Sequence, residues 1–211
     1  MAAAQSEAVT LESARAFRDG LTIAFLAYRP VRAKNLAMIC CDQHLVRRGD
    51  GWWVIFTGKE MKAKRPLEFP FPAELVCYLE KYLAIYRQVL LTRASKQAPA
   101  PISQLWVSHD ATALCQQTIG DHIKRNTRAE FGIELNPHLF RDCAATWIAI
   151  YDPEHVPIIA AILGHSTLDT SERYYNQAQR QEAGRRYHWT IKAIRGRANL
   201  SKESRPHVRL R

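Results

Sequence analysis

Residues 136–175 leave few folds open to this chain, because they combine a strong helix start with polar side chains at fixed intervals. Asn136-Pro137 predicts that start: asparagine is a good N-cap, and proline suits the first helical position, where no backbone donor is needed. His138 and Arg141 follow three residues apart and should face the same way on the first turn. The unpaired N–H groups and the positive dipole end of that turn favour a bound phosphate.

The rest of this stretch predicts two further helices. VPIIAAILGH contains an apolar helical run that Gly164 should close as a C-cap. His165 comes directly after that glycine. Tyr174 lies nine residues beyond His165, on the second predicted helix, with Tyr175 next to it. Histidine, arginine and tyrosine side chains at these intervals suit chemistry on a phosphodiester.

The charge of the chain points to a polyanionic partner. The 211 residues allow one large domain or two small ones, and they carry a net charge of +10 with a pI of about 9.6. A basic surface kept for solubility is the alternative, and charge by itself does not separate the two. Lys124, Arg125 and Arg128 on a predicted helix leave a similar choice between DNA-backbone contact and ordinary surface.

The cysteines are predicted to be reduced thiols, mostly buried, in a cytoplasmic protein. Their number is odd and none forms a CxxC pair, which argues against a disulfide framework. The sequence shows no secretory signal and no apolar run of the length that a membrane span needs. No Cys/His cluster has the spacing of zinc ligands and no P-loop is present, so no metal or other cofactor is expected. The cysteines are Cys40, Cys41, Cys77, Cys115 and Cys143.

The hydrophobic pattern predicts a mainly α-helical α+β domain with a small antiparallel β-sheet near the N-terminal third. Helices are predicted over residues 11–28, 31–41, 72–91 and 112–131. WWVIFT and RPLEFPF are predicted to be short strands, LWVS is a further candidate, and Gly49-Asp50-Gly51 should form a turn. The lysine-rich TGKEMKAKR segment then connects the first two strands.

Taken together, the HLFR box, the LGH box and the tyrosine nine residues after its histidine resemble the tyrosine recombinases, the phage integrase family. An HxxR box alone occurs by chance in many chains. LGH followed by Ser-Thr and by a tyrosine at that distance is much more specific, and the boxes come in the family's order, 24 residues apart from Arg141 to His165. The resemblance covers about residues 11–185 and implies the fold of the family's catalytic domain.

The first catalytic arginine of the family is matched by Arg32. In the family this arginine is followed three residues later by an acidic residue and then by an apolar one, and here Asn35 and Leu36 occupy those positions. An asparagine can hydrogen-bond a guanidinium but brings no charge to it. Arg29 is the alternative, and Arg32 is preferred because a predicted helix follows it.

The family also places a catalytic lysine in a β-hairpin, eight residues before a proline that ends the second strand. Lys62 has Pro70 at that distance. Lys59, in the sequence TGK, is the alternative.

The resemblance assigns six catalytic positions: Arg32, Lys62, His138, Arg141, His165 and Tyr174. The two arginines would clamp the non-bridging oxygens of the scissile phosphate, so that no metal is required. Tyr174 would attack the phosphorus, with Tyr175 as the alternative nucleophile, and His138 would take its proton. Lys62 would protonate the departing 5′ oxygen, and His165 would donate a hydrogen bond to the phosphate. The product would be a 3′-phosphotyrosyl link that a free 5′ hydroxyl can reverse, as in site-specific recombination.

The expected organisation is a flexible N-terminus (1–10), a catalytic domain (11–190) and a basic C-terminal tail (191–211). Only 31 residues precede Arg32, so the helical core-binding domain that family members usually carry is expected to be absent, in a fragment or in a naturally minimal enzyme. The resemblance implies double-stranded DNA as the partner, a homo-tetramer on that DNA, and accessory DNA-bending proteins, but no membrane.

Two other functions stay open at the level of the sequence. A DNA-binding module that kept the fold and lost turnover would explain Asn35 and the missing domain, although all six catalytic positions are filled. A type IB topoisomerase would use similar chemistry, and relaxation of supercoiled plasmid without recombinant products would favour it.

Overall fold

A computed structural model describes residues 9–92, 102–155 and 187–192, together with Leu163 and Asn176. Helix α1 (Leu11–Tyr28) has the predicted bounds, and it begins where the Thr10 hydroxyl accepts a hydrogen bond from the Ser13 backbone N–H at 3.1 Å. It ends before Pro30, since the residue preceding a proline is disfavoured in a helix. Its inner face buries Phe25 in the core.

Helix α2 (Ala33–Met38) follows directly and is shorter than predicted. The sequence predicted a helix over residues 31–41, but Cys40 and Cys41 instead form isolated β-bridges, and Cys40 pairs with Gln104. Leu36 and Ile39 are fully buried, as an inward-facing apolar stripe requires.

The predicted sheet is confirmed as three antiparallel strands in the order β1 (Leu45–Arg48), β2 (Gly51–Phe56) and β3 (Leu67–Pro70). The hydrophobic pattern missed β1, because LVRR is short and half charged. The turn between β1 and β2 includes Gly49, whose φ of +57° favours glycine. Val54 at the centre of β2 lies opposite Phe69 of β3 and is fully buried.

The predicted helix over residues 72–91 is confirmed as a continuous helical rod with three geometries. It starts as a 3-10 turn (Ala73–Leu75), continues as α3 (Val76–Lys81), widens into a π-helical segment (Tyr82–Tyr86) and ends as α4 (Arg87–Leu91). The hydroxyl of Tyr82 donates to the Leu105 carbonyl at 2.9 Å. Tyr82 is fully buried and is thus part of the core.

Helices α5 (Gln116–Phe131) and α6 (Pro137–Tyr151) complete the described fold, and a 3-10 turn (Pro153–His155) follows α6. Helix α5 begins four residues later than predicted, because Ala113 forms an isolated bridge with Val107. That isolated bridge also replaces the strand predicted for LWVS.

A buried polar network joins α1 to α5. Arg18 donates to the Asp19 carboxylate at 2.6 Å and to the Val107 carbonyl at 2.7 Å. His122 and Asn126 contact the same carboxylate, each at 3.3 Å. Burial would raise the pKa of Asp19, but the hydrogen bond with His122 and the charge of Arg18 outweigh it and lower that pKa. The ionised carboxylate therefore holds the two helices together.

All five cysteines are free, which agrees with the predicted absence of disulfides. Their predicted burial is wrong in part: Cys77, Cys115 and Cys143 are exposed. None of the described helices is long and apolar enough to cross a membrane.

We predict that Gly20→Ala stabilises the fold. Gly20 lies inside α1, and a Cβ built there meets no atom within 4 Å. Replacing glycine in a helix interior with alanine should raise the free energy of unfolding by about 0.5–1 kcal/mol. Urea denaturation would measure it, with Gly49→Ala as the matched control, since the positive φ of Gly49 predicts a loss of stability there. A lower stability for Gly20→Ala would contradict the prediction.

Candidate active site

The start of α6 has the geometry that the sequence predicts. The Asn136 side chain accepts hydrogen bonds from the backbone N–H groups of His138 at 2.9 Å and Leu139 at 3.0 Å. His138 is largely exposed, and its Nδ1 lies 3.9 Å from a carboxylate oxygen of Asp142, one turn further along. The imidazole therefore faces solvent at the N-terminal end of the helix, where the dipole is positive.

Arg141 is buried and joins three segments of the chain. Its guanidinium donates through Nη1 to the Pro30 carbonyl at 2.5 Å and through Nη2 to the Leu163 carbonyl at 2.8 Å, and the residue is 5% exposed. Pro30 lies two residues before Arg32, and Leu163 lies two residues before His165. Arg141 of the HLFR box thus connects the segment just before Arg32 to the first residue of the LGH box.

Arg32 stands at the N-cap position of α2 and is partly buried. Its carbonyl accepts the first helical hydrogen bond, from Leu36 at 2.9 Å. The alternative, Arg29, is turned toward the sheet, with its guanidinium over the Phe69 ring at 5.2 Å from the centroid.

Asn35 occupies the position where the family usually has a carboxylate, and it makes a contact that the sequence did not indicate. The side chain is 3% exposed, and its Nδ2 donates to the Met61 sulfur at 3.3 Å. Thioether sulfur is a weak acceptor, but this bond satisfies a buried donor. It also links the helix that follows Arg32 to the connection that carries Lys62.

Lys59 and Lys62 are both exposed on the β2–β3 connection, residues 57–66. This connection is compact: the Lys64 N–H donates to the Met61 carbonyl at 3.1 Å, and a Cβ added at Gly58 would lie 2.8 Å from the Lys64 carbonyl oxygen. The close approach requires glycine at position 58. Both lysines therefore stand on a defined backbone.

Two further side chains at this connection were not predicted from the sequence. His44, which is buried, contacts Glu60 through Nε2 at 3.0 Å. No local pattern could have indicated this pair, because 16 residues separate its members and the contact depends on how β1 pairs with β2.

The remaining assigned positions, His165 and Tyr174, and the alternative nucleophile Tyr175 lie outside the described residues. Leu163, two residues before His165, is helical and buried. The predicted C-cap at Gly164 also lies outside the described part of the chain.

Basic residues of α5 are partly engaged with acids. Arg128 donates to Glu134 at 2.9 Å, and Arg125 reaches Asp19 at 3.5 Å. Arg128 and Glu134 are both exposed, and surface ion pairs contribute little stability, so a phosphate can replace this carboxylate at little cost.

The sequence matches the model of the phage integrase family over residues 1–182. The chain belongs to the phage integrase family. No curated protein shows significant similarity to it in sequence.

This integrase-family chain has the fold of a tyrosine recombinase catalytic domain. It is similar to the XerH site-specific recombinase, crystallised with a palindromic difH substrate as a post-cleavage complex, with a TM-score of 0.62 and 17% identity over 87% of this chain and 48% of that one. It is also similar to the XerA recombinase, with a TM-score of 0.55 and 17% identity over 88% of this chain and 65% of that one. The integrase-family chain therefore spans about half of one relative and two thirds of the other.

Proposed function

We propose that this chain is the catalytic part of a site-specific DNA recombinase, which cuts and rejoins strands through a 3′-phosphotyrosyl intermediate. The observation that carries the proposal is the position of Arg141, whose guanidinium bonds the Pro30 and Leu163 carbonyls. Membership of the phage integrase family supports it independently.

A buried guanidinium held by two carbonyls has a fixed plane and direction. Stabilising groups that need no reorganisation during reaction contribute most to catalysis, particularly where water is excluded. Arg141 fits this requirement as one half of a clamp on the non-bridging phosphate oxygens, and Arg32 is proposed as the other half.

The proposed cleavage step is a transesterification at phosphorus. The hydroxyl oxygen of Tyr174 forms a bond to phosphorus while its proton passes to His138. The bond from phosphorus to the 5′ oxygen breaks, and that oxygen takes the electron pair and a proton from Lys62. His165 donates a hydrogen bond to the phosphate. The number of phosphodiester links is conserved, so a 5′ hydroxyl can reverse the step without another energy source.

The proposed partner is double-stranded DNA, bound by a homo-tetramer. The apolar face of α6 supports contacts between protomers, because Leu139, Trp147 and Tyr151 are exposed along it at intervals of one or two helical turns. Accessory DNA-bending proteins belong to the same proposal. A cytoplasmic location is also part of the proposal, and the free thiols support it.

We expect DNA binding by this chain alone to be weak and strongly salt-dependent. Contacts between lysine or arginine and about four phosphates would lower the affinity roughly a hundredfold between 50 and 200 mM salt, because counterions are released on binding. Fluorescence anisotropy with a labelled duplex would measure this dependence. An affinity that does not change with salt would contradict a backbone-based interface.

The deciding experiment is covalent trapping on a nicked, labelled duplex that carries the native site. After strand cleavage the short fragment that carries the free 5′ hydroxyl diffuses away, so the enzyme stays attached to the 3′ phosphate and runs as a shifted, protease-sensitive band on a denaturing gel. No band with DNA binding intact would indicate a binding module without turnover. Plasmid relaxation without recombinant products would indicate a topoisomerase.

A further inference from the structure

The β2–β3 connection is anchored by three side chains that the proposed reaction does not use directly. We call His44, Thr57 and Glu60 the Glu60 cluster. Glu60 receives its hydrogen bonds from both directions along the chain, from the turn before β1 and from the end of β2.

His44 is the rigid part of the Glu60 cluster. Its Nδ1 accepts from the Cys40 backbone N–H at 3.1 Å, and its own carbonyl accepts from Ile55 of β2 at 2.8 Å. A ring nitrogen that accepts a hydrogen bond carries no proton, so the proton of this imidazole lies on Nε2. His44 therefore donates to Glu60 from a fixed position beside the sheet.

Glu60 is the charged part. One carboxylate oxygen takes the His44 bond at 3.0 Å, and the other accepts from the backbone N–H of Thr57 at 2.7 Å and from its hydroxyl at 2.8 Å. The hydrogen bond from His44 and the backbone bond from Thr57 lower the pKa of Glu60 to about 2. The carboxylate therefore stays ionised at pH values where an ordinary carboxyl group takes up its proton. Its contribution to stability is lost only as the pH falls from about 4.5 toward 2.

Lys62 follows directly on two anchored residues. Glu60 is held by the cluster, and Met61, which is 3% exposed, receives the Asn35 hydrogen bond from α2. The side chain of Lys62 itself is exposed. The backbone that directly precedes Lys62 is therefore fixed by contacts to His44, Thr57 and α2.

We infer that the Glu60 cluster positions Lys62 for proton transfer to the departing 5′ oxygen, an inference that rests on the proposed recombinase chemistry. A general acid must stand within hydrogen-bond reach of the atom that it protonates, and small misplacements are costly. Glu60 is a positioning residue in this scheme, since it acts through the backbone of the connection and touches no DNA.

The test compares Glu60→Gln, Lys62→Ala and Glu68→Gln on two nicked substrates. Glu68→Gln is the matched control, because Glu68 is an exposed carboxylate of β3 that pairs with Arg48 outside the connection. One substrate has the ordinary 5′ oxygen as leaving atom, and the other has sulfur there. A thiol has a pKa of about 8.5 and can leave as the thiolate, so cleavage of the sulfur substrate needs no acid.

On the ordinary substrate, Glu60→Gln should slow covalent trapping by about 10- to 100-fold, and Lys62→Ala by about 10²- to 10⁴-fold. On the sulfur substrate both variants should come within about threefold of wild type, since general-acid catalysis is no longer required. Glu68→Gln should match wild type on both. Equal losses by Glu60→Gln on the two substrates, or no loss on the ordinary one, would overturn the inference.

A measurement without catalysis keeps this inference separate from the proposed function. Hydrogen exchange in peptides covering residues 57–66 should be faster in Glu60→Gln than in wild type and in Glu68→Gln. Unchanged exchange would overturn the positioning role, even if the wild type formed no covalent product. Absence of product from wild type on both substrates would instead count against the recombinase activity.

Discussion

Tyr174→Phe is expected to abolish covalent attachment to DNA while leaving DNA binding nearly intact. The substitution removes the phenol oxygen that would form the bond to phosphorus, and phenylalanine has no other nucleophile. Phenylalanine keeps the aromatic ring and nearly the same volume, so the fold should be retained. Trapping on the nicked duplex would show the loss of the shifted band, and anisotropy would show that affinity persists.

Tyr175→Phe is the matched control, since it makes the same change one residue away. It should trap DNA as the wild type does. Loss of trapping in Tyr175→Phe with activity retained in Tyr174→Phe would identify Tyr175 as the nucleophile. Trapping by both variants would contradict a tyrosine nucleophile at this position of the chain.

Arg141→Ala is expected to reduce cleavage by at least 10²- to 10³-fold, the effect typical of removing one preorganised donor to transition-state charge. The structure adds a second expected effect, because the Pro30 and Leu163 carbonyls would lose a buried partner. Each unsatisfied buried group costs about 1–3 kcal/mol, so the free energy of unfolding should fall as well. Single-turnover cleavage and urea denaturation would measure the two effects.

Arg141→Lys separates the two contributions, since it keeps the charge but loses the planar fork of donors. Compared with Arg141→Ala, we expect Arg141→Lys to restore more of the lost free energy of unfolding than of the lost cleavage rate. Arg128→Ala is the matched control, because Arg128 is an exposed arginine of α5 that pairs with Glu134. Near wild-type cleavage by a folded Arg141→Ala would contradict the assignment of this residue to the phosphate clamp.

Local signals predicted the helical elements best. Thr10 and Asn136 are N-caps whose effect depends on neighbours within three residues, so α1 and α6 start where the sequence indicates. Predictions failed where pairing partners lie far along the chain. Residues 39–41 were assigned to a helix, but Cys40 is drawn into a bridge with Gln104, a contact that no local pattern reveals.

The order and spacing of the HLFR and LGH boxes were sufficient to indicate the family, because order and spacing are properties of the sequence and need no tertiary contact. They could not indicate how the candidate site is supported. The sequence shows only that Asn35 stands where the family usually has a carboxylate, and the structure shows that its amide donates to Met61.

The sequence by itself therefore determined the starts of α1 and α6, the family and the residues proposed for the reaction, since each depends on short-range order along the chain. Only the tertiary structure decided that Arg141 is buried between the Pro30 and Leu163 carbonyls and that His44 anchors Glu60. The physical reason is that both arrangements satisfy buried polar groups across long sequence separations. Such partners are selected by the packing of the whole domain, not by local propensity.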